Sequence, residues 1–390
     1  MRYTVVLIFF LTLSFHLKAE KTEEFADDFK ISLITCSPGD EIYSLFGHTA
    51  IRVKSTKSSI DIIYNYGIFD FNTDLFIWRF ALGQTDYQLG RVPFEHFAYE
   101  YVLTNRTVWE QELLLNDIEK KTLIELLEDN YKPENRVYRY NFLHDNCATR
   151  PLEIIKRAAT TPITLEPINE QQTFRKLIHK YSANHPWSKF GMDMCLGSEA
   201  DKPITTLQEC FVPIELMNIL SNSAYKSGNN IVKETEIIIP STVEIEQRPL
   251  AMLTPFALFT FLFIIVIGIS AYQLKHKLIL NGLDIVIFAT YGLAGLVLLF
   301  LAVISEHPAM SPNYLLIVFH PIHLLIAPIL ALKGRKTVKK QYHCINFGVL
   351  TVFILISWLL PQSFNLAILP LTGILWLRSL TYYYITRELK

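Results

Sequence analysis

The chain has 390 residues, room for two or three domains, and a formal net charge of −1, which leaves no general case for nucleic-acid binding. Hydrophobic residues make up 51% of it and the mean hydropathy is +0.25, so a wholly soluble protein is a poor fit. The excess is concentrated after about residue 250, so that part is expected to lie in a membrane.

The N-terminus reads as a signal peptide over residues 1–19. Arg2 supplies the positive end, Val5 to Phe15 is an apolar core short for a membrane span, and Ala19 offers a small residue for cleavage. An uncleaved signal anchor would export the following segment equally well. Residues 20–249 then read as an exported domain of mixed α and β character. Ile31–Thr35 is a candidate strand and Ser37-Pro38-Gly39-Asp40 a turn. Thr49–Val53 and Ile60–Tyr66 are two strands joined by a polar turn, a hairpin pattern. Val92–Val102 is expected to be a short helix and Thr107–Leu115 a strand. Asn116 with Glu119 three residues later fits a capping box, opening a helix to about Asp129.

The stretch Asn141 to Arg150 places Cys147 directly after Asp145-Asn146, two good N-capping types, and before the helical pattern of Leu152–Ala158. A thiol at a helix mouth is expected to be drawn toward thiolate, the reactive form. Pro151 implies either a kinked first turn or a helix that begins nearer Thr149. Farther on, Gln171–Tyr181 and Thr206–Leu220 are candidate helices. Cys195 and Cys210 flank the loop between them, and a disulfide or two separately buried thiols both fit an exported domain. The five cysteines are an odd number, so at least one stands outside any disulfide. Ile231–Gln247 alternates apolar and charged residues and reads as an extended segment leading to the membrane.

Residues 250–390 carry five apolar runs, near 253–274, 283–304, 313–332, 345–360 and 364–380. Most approach the roughly 20 residues needed to cross the hydrocarbon core; the last two are shorter and a re-entrant hairpin is the alternative there. Their connections alternate in charge. Lys275 and Lys277 follow the first run, and Lys333, Arg335, Lys336, Lys339 and Lys340 follow the third, with Arg387 and Lys390 in the tail. The connections Ser305–Pro312 and Pro361–Asn365 carry neither Lys nor Arg. This bias places the exported domain outside and the C-terminus in the cytoplasm, with five spans.

A nucleophilic cysteine needs a base and a group to orient that base. His48, after Gly47, and Asn65, on the next strand, are the candidates beside Cys147. Taken alone, a structural histidine and an inert thiol explain the same residues.

The motifs Gly47-His48-Thr49-Ala50-Ile51-Arg52, Tyr64-Asn65-Tyr66-Gly67 and Asp145-Asn146-Cys147-Ala148-Thr149-Arg150 resemble the signatures of the Lnb family of bacterial lipoprotein N-acyltransferases. Ser305-Glu306-His307-Pro308 followed by Asn313 is similar to that family's membrane part. The resemblance implies an α+β papain-like domain of permuted NlpC/P60 type, followed by an all-α membrane domain of about five transmembrane helices. It implies an acyl transfer with Cys147 as nucleophile, His48 as base and Asn65 orienting His48, from a membrane phospholipid to a diacylated apolipoprotein, with no cofactor and no metal. N–H groups at the helix start would stabilise the oxyanion. Arg52, Asp145 and Asn146 are expected to support the site. Arg150 suits either a phosphate contact or a salt bridge. Glu306 and His307, in an outside loop, suit a headgroup or amine contact, or plain solvation. His320 and His323, inside the third run, suit either function or hydrogen bonds between helices. A membrane-anchored cysteine hydrolase and a non-enzymatic scaffold are the competing readings.

Overall fold

The computed structural model describes residues 29–168, 170–242, 253–332 and 334–388. The signal-peptide expectation and the end of the segment Ile231–Gln247 lie outside them. The described chain forms two compact units. One takes the residues up to Phe76, Gln84–Gln172, and Ile204 to Thr242. The other takes Ile77–Gly83, Thr173–Pro203 and everything from Leu253 on.

The first unit is built on seven antiparallel strands: β1 (Phe29–Cys36), β2 (His48–Ser55), β3 (Asp61–Ile68), β4 (Asp86–Pro93), β5 (Val108–Leu113), β6 (Val137–Arg139) and, after the two-residue strands β7 (Ile163–Thr164) and β8 (Ala224–Tyr225), β9 (Val232–Ile239). The sheet order is β6-β4-β3-β2-β1-β5-β9, while β7 and β8 pair separately. The central strands β1 and β2 are buried along nearly their whole length, even at the polar residues Ser32, Thr35, Thr49 and Arg52. The pleat sends Ile34, Cys36, Ala50 and Ile63 to one face, under Phe97 and Tyr101 of helix α2 (Phe94–Leu103), which follows α1 (Phe76–Leu82). Ile31, Leu33, Ile51, Val53, Tyr64 and Tyr66 go to the other face. There they meet helices α3 (Asp117–Tyr131), α4 (Thr149–Ala158) and, after α5 (Phe174–Tyr181), α6 (Pro186–Cys195) and α7 (Thr206–Glu209), helix α8 (Pro213–Asn222).

The β2–β3 hairpin forms as its pattern predicts. The capping box of α3 is complete: Glu119 N–H donates to Asn116 Oδ1 and Asn116 N–H to Glu119 Oε2, each at 3.0 Å. Two readings need correction. The helix expected from Val92 starts only at Phe94, because Val92 and Pro93 end β4. Thr206–Leu220 is two helices, broken where Pro213 lacks the N–H that continuation requires. Ile231–Gln247 is extended as its pattern predicts over Val232–Ile239, which pairs with β5 as the sheet's edge.

The second unit packs α5, α6 and the chain Ile77–Gly83 with helices α9 (Pro255–His276), α10 (Asn281–Val303), α11 (Ile322–Ala331), α12 (Lys336–Ile356) and α13 (Ile368–Glu388). Among the described residues, three helical stretches are long and apolar enough to cross a membrane: Pro255–His276, Asn281–Val303 and Lys336–Leu359. The third apolar run is broken instead. A short turn of 3₁₀-helix at Tyr314–Ile317 is followed by Pro321 and only then by α11, which itself contains Pro328. The fifth run becomes α13, displaced toward the C-terminus.

Charged groups inside this unit are paired. Arg378 donates from Nε to Asp284 at 2.7 Å, from Nη1 to Ser270 at 3.0 Å, and also to Gln273. Arg175 donates to Asp193 at 2.8 Å, to both oxygens of Asp201 at 3.0 Å, and to the carbonyls of Leu196 and Gly197. Burial alone would lift the Asp193 carboxyl, but bonds from His179, Asn365 and Arg175 hold it below its ordinary range.

Candidate active site

Two strands and one helix start bring the polar residues of the first unit together. His48 is the first residue of β2, opposite Cys36 in the register. Gly47 makes that entry possible: its φ is +83°, and a Cβ there would lie 2.6 Å from the Cys36 carbonyl oxygen. Asn65 lies on the neighbouring strand, just before an irregularity that shifts the β3–β4 register between Asn65 and Ile68. His48 Nε2 and Asn65 Oδ1 are 2.6 Å apart. Because a carboxamide oxygen only accepts, Nε2 carries the ring proton, and the lone pair of the neutral imidazole is on Nδ1.

Cys147 meets this pair at Gly67. The glycine has φ +94°, and a Cβ built on it would lie 3.4 Å from Cys147 Cβ and 3.9 Å from His48 Cε1. The absent side chain therefore leaves space bordered by both the thiol residue and the imidazole. The backbone N–H groups of Thr49 and of Cys147 itself both favour the ionised form of the sulfur.

Asn146 holds the cysteine in place. Its buried side chain donates to the carbonyls of Phe142 and Phe211, both at 2.8 Å, and accepts from the N–H groups of Ala148 (2.8 Å) and Thr149 (3.0 Å). Helix α4 begins at Thr149, so Pro151 falls in its first turn, the second of the two arrangements expected. Asn146 also consumes the first N–H groups of this helix start. The positive end of the helix is thus spent on a carboxamide before it reaches the sulfur.

The titration of the site reverses one expectation. Burial pushes the Cys147 thiol up to about 11, against the opposing pull of the Thr49 and Cys147 N–H groups. Burial likewise lowers His48 to about 4, helped by the Arg106 charge and opposed by the bond to Asn65. The thiolate expected from the helix mouth is therefore not the resting state; desolvation outweighs the helix end, and thiol and imidazole are both neutral.

The other expected site residues divide sharply. Arg52 braces the sheet: it donates to both carboxylate oxygens of Asp61 (2.7 and 2.6 Å) and to Glu110 (3.1 Å), with its guanidinium 3.6 Å over the Phe94 ring. Asp145 and Arg150 take each other in a bidentate pair at 2.6 and 2.8 Å, and the guanidinium lies 3.5 Å over Tyr138. Of the two readings of Arg150, this is the salt bridge. Glu306 and His307 belong to the second unit. There the Glu306 N–H donates to Leu82 O at 2.8 Å and His307 Nε2 to Phe80 O at 2.6 Å, so both hold the chain Ile77–Gly83. His323 is buried between Tyr342 and the Val318 carbonyl, the interhelical arrangement, and His320 accepts from the Ile322 N–H at 3.1 Å. All five cysteines are free, including Cys195 and Cys210, which fall in different units. Among the described residues no group of three or more His, Cys, Asp or Glu side chains is arranged to hold a metal.

Sequence reasoning missed the surroundings of the sulfur: Gly67, the Thr49 N–H and three tyrosines, Tyr87, Tyr138 and Tyr140, all within electrostatic reach of Cys147. The Tyr-x-Tyr spacing just before the cysteine stretch was the available signal.

Two family models match the sequence. The Lnb N-terminal periplasmic domain matches residues 20–180 and the Lnb transmembrane domain residues 246–389. No curated protein and no solved structure matches the chain.

Proposed function

The chain belongs to the Lnb family, a membrane protein with a periplasmic N-terminal domain, and on that premise we propose that it is a lipoprotein N-acyltransferase working through a Cys147 thioester. The observation that carries this reading is the convergence of Cys147, His48 and Asn65 around the space left by Gly67.

The chemistry follows from two neutral partners. As Cys147 Sγ attacks the acyl carbonyl of a phospholipid, His48 Nδ1 takes the thiol proton, and Asn65 Oδ1 steadies the imidazolium that forms. The ester C–O bond then breaks, and His48 returns the proton to the departing lysophospholipid oxygen. The neutral N-terminal amine of a diacylglyceryl-cysteine apolipoprotein attacks the thioester. Its proton passes through His48 to the sulfur as the C–S bond breaks, leaving an amide and free enzyme.

Because the N–H groups of Ala148 and Thr149 are engaged by Asn146, oxyanion stabilisation falls to the N–H groups beside the sulfur, those of Cys147 and Thr49. No step calls for a cofactor, since an ester is already activated relative to an amide. The basic connections after the first and third apolar runs support an inner-membrane location with a cytoplasmic C-terminus.

The test is mass spectrometry of a lipoprotein N-terminal peptide from a host lacking its own N-acyltransferase, expressing either this chain or Cys147→Ala. One added acyl chain with the wild type alone is expected. Acylation by both would remove Cys147 from the mechanism. Lysophospholipid with free fatty acid, and no acylated peptide, would mean that water takes the thioester and the chain is a phospholipase.

A further inference from the structure

We propose that the aromatic ledge Tyr140–Tyr87–Phe69–Phe71, edged by Tyr43, is the binding site for the fatty acyl chain carried on Cys147. This inference rests on the thioester reading and adds where the hydrocarbon goes.

The ledge starts at the site. Gly67 borders Cys147, and Phe69 follows two residues later. The ring of Phe69 lies 5.0 Å from Tyr87, which stacks on Tyr140 at 4.1 Å, and 4.7 Å from Phe71. Tyr43 approaches Phe69 from the preceding loop at 6.2 Å. The rings thus form one apolar path from the vicinity of the sulfur to the surface of the unit. Its outer end is open: Tyr43 is 62% and Phe71 63% exposed. Two large aromatics left exposed at the outer end of a path that begins near the nucleophile is an arrangement that folding alone does not reward.

The polar residues of the same loop do not compete for the ledge. Asn72 donates from its N–H and its Nδ2 to Asp70 Oδ1 at 2.8 and 3.0 Å, and Thr73 Oγ1 donates to Asp70 O at 2.8 Å. The loop is therefore fixed by its own hydrogen bonds while its rings face outward.

The alternatives around the sulfur are unsuitable for hydrocarbon. One side holds His48 and Asn65, whose polar atoms pair with each other. Another holds the Asp145–Arg150 ion pair. An acyl chain laid over either would desolvate polar groups without replacing their water, whereas over the rings it buries apolar surface against apolar surface.

The experiment compares full-length chain in detergent micelles with p-nitrophenyl butyrate and p-nitrophenyl palmitate, following the Cys147 thioester by intact mass and the released nitrophenolate by absorbance. Wild type should favour palmitate. The variant Tyr43→Ser/Phe71→Ser, altered only at exposed positions, should lose that preference by about tenfold while its butyrate rate stays within about twofold. A preference unchanged from wild type would overturn the ledge, even if the variant bound phospholipid vesicles more weakly, because that result assigns the rings to the bilayer. If wild type forms no Cys147 adduct even with butyrate, the thioester reading fails, and the ledge with it. The two failures are thus told apart by the short ester.

Discussion

Two titratable pairs contrast, Cys147 with His48 in the first unit and Arg378 with Asp284 in the second. Cys147 and His48 are held neutral: burial raises the thiol and lowers the imidazole. Arg378 and Asp284 form an ion pair, each 1% exposed, with Ser270 and Gln273 completing the guanidinium's hydrogen bonds. The difference lies in what surrounds them. The arginine is met by an acidic partner and by neutral acceptors, so charge is compensated inside the unit. The thiol and imidazole have one carboxamide and two N–H groups between them, too little to offset desolvation. A charged pair fixes helices; a neutral pair stays free to pass a proton when a substrate arrives.

The widest separation between the two is expected from substitutions in the neutral pair. His48→Ala should slow Cys147 acylation by about 10²- to 10⁴-fold, and Asn65→Ala by roughly 10- to 100-fold. Both should leave thermal unfolding nearly unchanged. A stopped-time intact-mass assay measures the first, and a melt in detergent the second. An Asn65→Ala enzyme as fast as wild type would show that the 2.6 Å contact orients nothing.

The charged pair should behave oppositely. Arg378→Leu leaves Asp284 buried and unpaired, at a cost of about 3–5 kcal/mol, and adding Asp284→Leu should restore most of that loss. Unfolding of both variants in mild detergent tests this. A double variant no better than the single one would mean that the pair's value is not compensation of charge.

Asn146 sits between these extremes, since it is uncharged and yet makes four hydrogen bonds. Asn146→Ala should destabilise the first unit by roughly 1–3 kcal/mol and also slow acylation, because it frees the segment that carries Cys147. Stability and rate measured together on the purified variant decide whether the two losses are coupled.

The smallest effect is the pH profile, which sharpens the comparison at its centre. A neutral dyad keeps an unprotonated base at every pH above about 4, so acylation should hold level from there up toward about 11, where the thiol ionises. An imidazolium–thiolate pair would instead lose rate once the imidazolium deprotonated. The stability sign follows from the same shifts. Between about 4 and 6.5 the unfolded chain binds the His48 proton and the folded one does not, so the fold weakens as pH falls through that window. Above 9.0 the unfolded chain gives up the Cys147 proton first, and the fold weakens again as pH rises toward about 11.

How much of this was legible beforehand follows from the range of each interaction. The sequence by itself determined the local features: the capping box of α3, the β2–β3 hairpin, the start of α4 around Pro151 and the excess of apolar residues after about residue 250. Each depends on neighbours within a few residues, where residue type and spacing carry the signal. The candidate triad was also nameable, since Cys147, His48 and Asn65 stand in distinctive motifs. Only the tertiary structure decided their state. The neutrality of the thiol comes mainly from burial, which depends on distant parts of the chain, whereas the Asn146 bonds to the helix-start N–H groups span only two and three residues. The broken third run was read as one span by hydropathy, which weighs apolarity and passes over the local effect of Pro321. Arg150 is a different case, since its partner Asp145 stands only five residues away and spacing allowed the pair that the fold formed. Hydropathy and spacing report which groups are present. Desolvation depends on atoms brought together from distant parts of the chain, and it sets the chemistry of the site.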